Sequence, residues 1–227
     1  MKRFWQAVTI DADRVVRLDD RPVRTPGRVP LALPTPALAA AVADEWRAVT
    51  DTIDPRAMPL TGLANAAIDR VAPDPAAFAR GIAAYAESDL LAYRAESPAE
   101  LVAREAAAWD PLLDWAERRY DVHFVRVGGI MHQPQPAATI ARLHEAVVSR
   151  DAFALVALQP IVTITGTLVG SLMLSEGAID PDTLWHAVTV DETWQAEQWG
   201  EDAEASAALA ARRRDFDAAV RFLSLLG

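Results

Sequence analysis

The segment Asp191-Glu192-Thr193-Trp194-Gln195-Ala196-Glu197-Gln198-Trp199-Gly200-Glu201-Asp202-Ala203-Glu204 carries six carboxylates, two tryptophans and no basic side chain. Carboxylates at this density can move protons, hold cations or recognise a basic partner. Five residues along a helix turn the chain through roughly 500°, so Trp194 and Trp199 diverge by roughly 140° and cannot share one narrow face. One ring is expected in the core and the other at the surface. Gly200 lets the chain turn, and the acids after it suit the N-terminus of a final helix. The plainer reading is a core tryptophan beside a solvated acidic helix start. The functional reading is a recognition surface, because aromatic anchors beside charged groups are the usual energetic centre of protein contacts.

Other chemistry finds less support. His123, His132, His144 and His186 are scattered without the i, i+3 or i, i+4 partner of a helical metal pair, so no metal site is expected. The chain lacks a G-x-S-x-G elbow, and Gly166-Thr167-Leu168-Val169-Gly170 has no serine at its centre. No phosphate loop or dinucleotide fingerprint occurs, and Lys2 is the only lysine, which excludes a Walker-type lysine further on. Asp110 and Asp114 lie one helical turn apart and could serve as acid and base, but capping by Asp110 and solvation of Asp114 account for them more simply. No catalytic residue and no cofactor are expected.

Composition narrows the choice. The chain of 227 residues contains no cysteine, so disulfides, thiolate metal sites and cysteine nucleophiles are ruled out. A net charge of -10 argues against a general nucleic-acid binder. The one dense basic run, Arg212-Arg213-Arg214, reads as a solvated helical face. The opening residues Met1 to Trp5 are followed by Gln6, Thr9, Asp11 and Asp13 rather than an apolar h-region, so the chain is expected to stay where it is made, the cytoplasm in a bacterium. Ala152 to Leu174 has no charged residue, but Pro160 and three threonines favour two buried helices broken near Pro160 over a membrane span.

These residues must be positioned by an α+β fold. Phe4–Ile10 and Arg14–Leu18 alternate partly around the turn-forming Asp11-Ala12-Asp13, and Pro22, Pro26, Pro30 and Pro34 point to edge strands. Thr35 before Pro36 predicts a helix with Leu38, Val42 and Trp46 inward. Thr52–Pro59 reads as an extended link. Asp74-Pro75 and Asp180-Pro181 mark two more helix starts, and Ser97 with Glu100 a capping-box start. Asp110-Pro111 predicts a kink or restart, and His123–Val127 a short strand or link. Phe216, Ala219, Val220 and Leu223 give the last helix an inward face. The expected organisation is a small β-rich N-terminal domain, residues 1–59, and a larger α-helical, orthogonal bundle-like domain, residues 60–227.

Across most of its length the chain resembles the ATP-twelve family, assembly chaperones for the alpha subunit of the F-type ATP synthase catalytic head. The resemblance rests on Arg3-Phe4-Trp5, Leu18-Asp19-Asp20-Arg21-Pro22-Val23-Arg24-Thr25-Pro26, Leu33-Pro34-Thr35, Glu45-Trp46, Ile53-Asp54-Pro55 and Met58-Pro59-Leu60-Thr61. It continues through Leu63, Asn65, Ile68-Asp69, Asp89-Leu90-Leu91-Ala92-Tyr93-Arg94-Ala95, Trp109-Asp110-Pro111-Leu112-Leu113-Asp114-Trp115, and the closing Glu192, Trp194, Gln195, Trp199-Gly200 and Glu204. Val49 and Glu105 stand where the family pattern leads one to expect glutamine. The resemblance implies a monomeric holdase that binds the free alpha subunit, shields its subunit interface from aggregation and releases it as the alpha/beta hexamer forms, consuming no nucleotide. Eukaryotic relatives would work in the mitochondrial matrix. It also implies that Glu192 is the acidic residue of the terminal motif. Trp194, Glu197, Trp199, Glu201, Asp202 and Glu204 complete the candidate client-binding set. Two other readings remain: a hydrolase with an acidic cleft between the two domains, and a scaffold or regulator that stays bound to its partner.

Overall fold

The computed structural model describes residues 1–129 and 131–227. Its contacts divide the chain into two compact units. The first comprises Met1–Phe78, Arg150–Ala157 and Ala218–Gly227; the second comprises Ala79–Ser149 and Leu158–Asp217.

The first unit begins with a three-stranded antiparallel sheet, β1 (Val8–Ile10), β2 (Val16–Leu18) and β3 (Arg21–Pro22), in that order. Val8 pairs with Leu18 and Ile10 with Val16, so the register turns Val16 and Leu18 into the core. Carboxylates set both turns. Asp11 accepts the N–H groups of Asp13 and Val15, and Asp19, with φ of 53°, accepts those of Gln6 and Ala7. These backbone donors hold the Asp19 carboxyl below its ordinary range. Pro22 lies in an edge strand, where a missing N–H costs least.

Helix α1 (Pro36–Ala48) starts at the Thr35–Pro36 signal; the Thr35 hydroxyl accepts the Leu38 N–H at 3.1 Å. It buries Leu38, Val42 and Trp46, and the Trp46 ring meets Trp5 edge to face at 5.5 Å. Within Thr52–Pro59 a short 3-10 turn forms at Pro55–Ala57, capped by Asp54. Helix α2 (Pro59–Ala66) borrows its cap from α1: the Glu45 carboxylate accepts the N–H groups of Leu60 (2.8 Å) and Thr61 (2.7 Å) and the Thr61 hydroxyl (2.7 Å). Asp69 accepts the Thr25 hydroxyl and the Gly27 N–H, and a Cβ on Gly27 would fall 2.6 Å from that carboxylate. Val49 is buried, and its polar contribution is its carbonyl, which accepts from Arg3. The two later segments join through the stacked rings of Phe153 and Phe222 and through the Leu225 carbonyl, which accepts the Thr35 hydroxyl.

The second unit is helical. Helix α3 (Pro75–Ala83), capped by Asp74, leads into it. It then contains α4 (Ala99–Tyr120), α5 (Ala137–Val148), α7 (Leu168–Ser175), α8 (Pro181–Val188) and α9 (Val190–Trp199). A parallel pair of two-residue strands, β4 (Tyr93–Arg94) and β5 (Val127–Gly128), completes it. Helices α6 (Ala152–Thr165) and α10 (Ala203–Ser224) contribute residues to both units. Asp180 caps α8 by accepting the Thr183 N–H. The Trp109 indole in α4 donates to the Ala187 carbonyl of α8 at 2.6 Å, and a Cβ on Gly170 in α7 would meet Leu184 at 2.6 Å.

Four local expectations are corrected. Helix α6 runs through Pro160, with Leu158, Ile161 and Val162 fully buried, so core packing outweighs the hydrogen bond that the proline removes. The break comes at Gly166, whose φ of 70° only glycine adopts readily, and Thr167 then caps α7. Among the described residues no helix is long and apolar enough to cross a membrane. Helix α4 likewise continues through Pro111 without a restart. Its start is Pro98 with no side-chain cap, because Glu100 pairs forward with Arg104. In α10 the buried face is Phe216, Ala219 and Phe222, while Val220 and Leu223 are half-buried.

Glu45→Ala is expected to lower stability by about 1–2 kcal/mol, because it removes the cap of α2. Glu45→Gln, which keeps an acceptor, should cost less. Urea unfolding of both variants checks this, and an Ala variant as stable as the parent would contradict the cap.

Candidate functional site

The carboxylate of Asp89 is fully buried. One oxygen accepts the Leu91 N–H at 3.0 Å and starts the turn Leu90–Ala92; the other accepts the Val169 N–H of α7 at 2.9 Å. The Leu90 N–H donates to the Gly166 carbonyl at 3.0 Å. Together these bonds fix the chain that leads into Tyr93 and Arg94. Burial pushes the Asp89 carboxyl up to about 6, and the Val169 and Leu91 N–H groups oppose it.

Arg94 is the hub of the next layer. Its guanidinium donates to the Glu105 carbonyl at 2.8 Å and to Asp110 at 2.7 Å, and it lies over the Trp109 ring at 5.0 Å. Arg126 also pairs with Asp110 and reaches Asp114, so Asp110 is not the cap expected of it, and Asp114, although half exposed, also meets an arginine. Both are fixed as arginine partners. Glu105 is 4% exposed and accepts the Ala95 N–H at 2.8 Å. Burial raises its carboxyl above the ordinary range, against the Ala95 N–H and Arg94. Its place in the fold therefore needs an acceptor, which glutamine also supplies.

These groups form one wall of a cleft of about 660 Å³ in the second unit. Leu90, Tyr93, Leu101, Trp109 and Val188 give it an apolar lining. Glu96, Glu105, Asp191 and Glu192 supply carboxylates, and Arg94 and Arg212 the positive charges. The lining also includes the end of α6, Asp191 and Glu192 at the start of α9, and Arg212 in the middle of α10.

The residues singled out in the sequence fall into three places. Glu192 lines the cleft and accepts from Arg212 at 3.2 Å. On the rest of α9, Trp194 is 8% exposed and Trp199 is 74% exposed, as the helical offset requires. Their rings nonetheless touch edge to face at 5.4 Å, so the buried ring braces the exposed one. Glu197 is held by Arg104 at 2.6 Å. Past the turn at Gly200, Asp202 caps α10 through the Ala205 N–H, Glu204 lies in the first helical turn and Glu201 is exposed beside them. Neither Glu201 nor Glu204 has an ion-pair partner among the described residues.

Sequence reasoning missed the arginines. Arg212 and Arg213 are not a solvated face: Arg212 bridges Glu192 and the Ile164 carbonyl, and Arg213 pairs with Asp182 and Asp217 while lying over Trp185 and Phe216. Apart from Asp217 and Phe216, which are near Arg213 in sequence, their partners lie far along the chain and leave no local signal. No group of His, Asp and Glu among the described residues could hold a metal ion.

Residues 2–117 match the family described as ATP12 chaperone protein. The chain belongs to that family. The whole chain also superposes on solved structures of Atp12 from Paracoccus denitrificans. A mutant form is 43% identical with a TM-score of 0.95, and a second structure 42% identical with a TM-score of 0.94; each match covers 100% of this chain and 98% of the other. The Atu1473 protein of Agrobacterium tumefaciens is 39% identical, with a TM-score of 0.94 over 100% of this chain and 86% of its own. The protein is thus a chaperone with the ATP12 fold, α+β with a helical bulk. The acidic and aromatic part of α9 and the start of α10 lie outside the residues that match the family and inside the structural matches.

The buried Asp89 gives this ATP12 chaperone a definite pH signature. Its folded value of about 6 exceeds the ordinary 3.8, so the native state binds the extra proton between them. Stability from this group therefore falls as pH rises from about 4 to about 6 and is level above that. Asp89→Asn removes the slope. The stability of the parent minus that of the variant should decrease across this window in urea titrations and stay constant near pH 8. A difference independent of pH would refute the assignment. Glu105, raised in the same direction, is present in both proteins and cancels.

Proposed function

We propose that this chaperone binds the free alpha subunit of the F-type ATP synthase catalytic head through α9 and the start of α10. It shields the surface that later meets the beta subunit and releases the client as the alpha/beta hexamer assembles. A free obligate subunit exposes a large apolar interface, and covering it needs contact area rather than chemistry. The observation that carries this reading is Trp199, 74% exposed and braced from behind by Trp194. A rigid aromatic anchor of this kind is a typical centre of binding energy. Glu192, Glu197, Glu201, Asp202 and Glu204 surround it in sequence with negative charge, which steers a basic or amphipathic partner. The protein acts as a monomer in the cytoplasm of a bacterium and hydrolyses no nucleotide.

The carboxylates near the cleft favour recognition over hydrolysis. Glu105 accepts a backbone N–H, Glu192 pairs with Arg212 and Asp191 accepts from Gln195, so each already has a positioning role.

Co-expression with the alpha subunit alone tests the proposal. The alpha subunit should become soluble and co-purify one to one, then leave when beta subunit is added. Trp199→Ala should weaken the complex by about tenfold or more, and Glu192→Lys should also weaken it. Persistent aggregation of alpha beside a folded chaperone would sink the reading, and retention in the finished hexamer would favour a scaffold.

A further inference from the structure

Arg212 ties together two acceptors that suit a cation. One guanidinium nitrogen donates to Glu192 at 3.2 Å and the other to the Ile164 carbonyl at 3.0 Å. Ile164 is the penultimate residue of α6, so its carbonyl is among the last four that a helix leaves without an internal donor. A carboxylate on one side and the negative end of a helix on the other form a site for positive charge. The two acceptors match the forked donors of a guanidinium better than the single point of an ammonium.

The rest of the cleft has the same preference. Glu96, Glu105 and Asp191 leave it short of positive charge, because the guanidinium of Arg94 is already committed to Asp110 and the Glu105 carbonyl. Leu90, Leu101 and Val188 offer apolar wall beside these acids. The Arg212–Glu192 pair is open to water, with each side chain 43% exposed. Such a pair contributes little and exchanges readily.

We propose that Arg212 is an internal placeholder: it occupies a guanidinium site that an arginine of the client takes over, with apolar neighbours of that arginine seated in the cleft. The client is thus recognised by an extended segment in which arginine is flanked by large apolar side chains. The identity of the client rests on the function proposed above; the site itself does not. Binding exchanges one ion pair for another, so Arg212 swings out and no charge is left buried. The cleft accordingly discriminates against a neutral isostere of arginine, which cannot satisfy Glu192 and the helix end together.

The test uses the full chain and a defined probe, the acetylated and amidated tripeptide leucine-arginine-leucine, beside the same peptide with citrulline at its centre. Binding is read by calorimetry and by the indole N–H resonance of Trp109. Arg212→Ala should bind the arginine peptide about two- to fivefold more tightly than the parent, the range expected for removing an exposed competing pair. The citrulline peptide should gain nothing, and Glu192→Gln added to Arg212→Ala should abolish the gain. Arg212→Gln, which keeps a donor and most of the packing, provides the same comparison if the alanine variant unfolds. Equal affinity of parent and both Arg212 variants for the arginine peptide would overturn the placeholder, as would equal gain with citrulline. The variants are then titrated with purified alpha subunit. The same rank order supports the client's use of the site, whereas peptide selectivity without alpha binding would retain the site and reject the client.

Discussion

A carboxylate enclosed at Asp89, with no cation against it among the described residues, is a costly thing to build, since an ion loses its hydration on burial. The fold offsets that cost with backbone N–H groups: Leu91 on one oxygen, Val169 on the other. Because those donors lie in a turn and at the start of a helix, satisfying one charge also fixes two segments 80 residues apart. Tyr93 and Arg94 follow directly, and the cleft wall takes its position from them. The same device recurs where Glu45 caps α2, Asp19 holds the first strand's approach and Asp69 ties Thr25 to Gly27. In a chain rich in acids and with a single lysine, backbone amides and arginines are the available partners. Several polar residues that carry the family likeness thus serve the fold.

Few of the acids in α9 and at the start of α10 are left over. Glu192 and Glu197 are held by arginines, and Asp202 caps a helix. Glu201 and Glu204 are exposed at the surface near the start of α10. A surface of this kind has held, exchangeable and open carboxylates within one short stretch of chain. Trp199 supplies apolar area beside them, kept rigid by a ring contact rather than by deep burial.

Local rules carried far where the partners of a residue are near in sequence. Thr35, Asp74 and Asp180 cap the helices expected of them, and the offset of Trp194 and Trp199 separates a core ring from a surface ring. The same rules fail where tertiary packing is stronger than local preference. Pro111 and Pro160 each remove one helical hydrogen bond, yet both helices continue because their flanks are buried. Ser97 and Glu100 have the spacing of a cap, but Arg104 is a better partner for the acid. The candidate site was half legible. Its acidic and aromatic stretch stands out by composition, and Glu192 by resemblance. Arg212 could not be found, because its acceptors are 20 and 48 residues away and come together only in the fold.

The make-up of the first unit has a consequence for the order of events at the ribosome. Its sheet and first helices are made well before its later segments: Phe153 must await Phe222, and the Thr35 hydroxyl must await the carbonyl of Leu225. Residues 218–227 are made after every other segment of this unit, and they belong to it. Domains tend to fold as units, with N-terminal ones first during synthesis. Here the earlier portion is obliged to wait for residues 218–227, so the first unit stays open until they have emerged. A chaperone built this way keeps its own first unit unclosed through most of its synthesis.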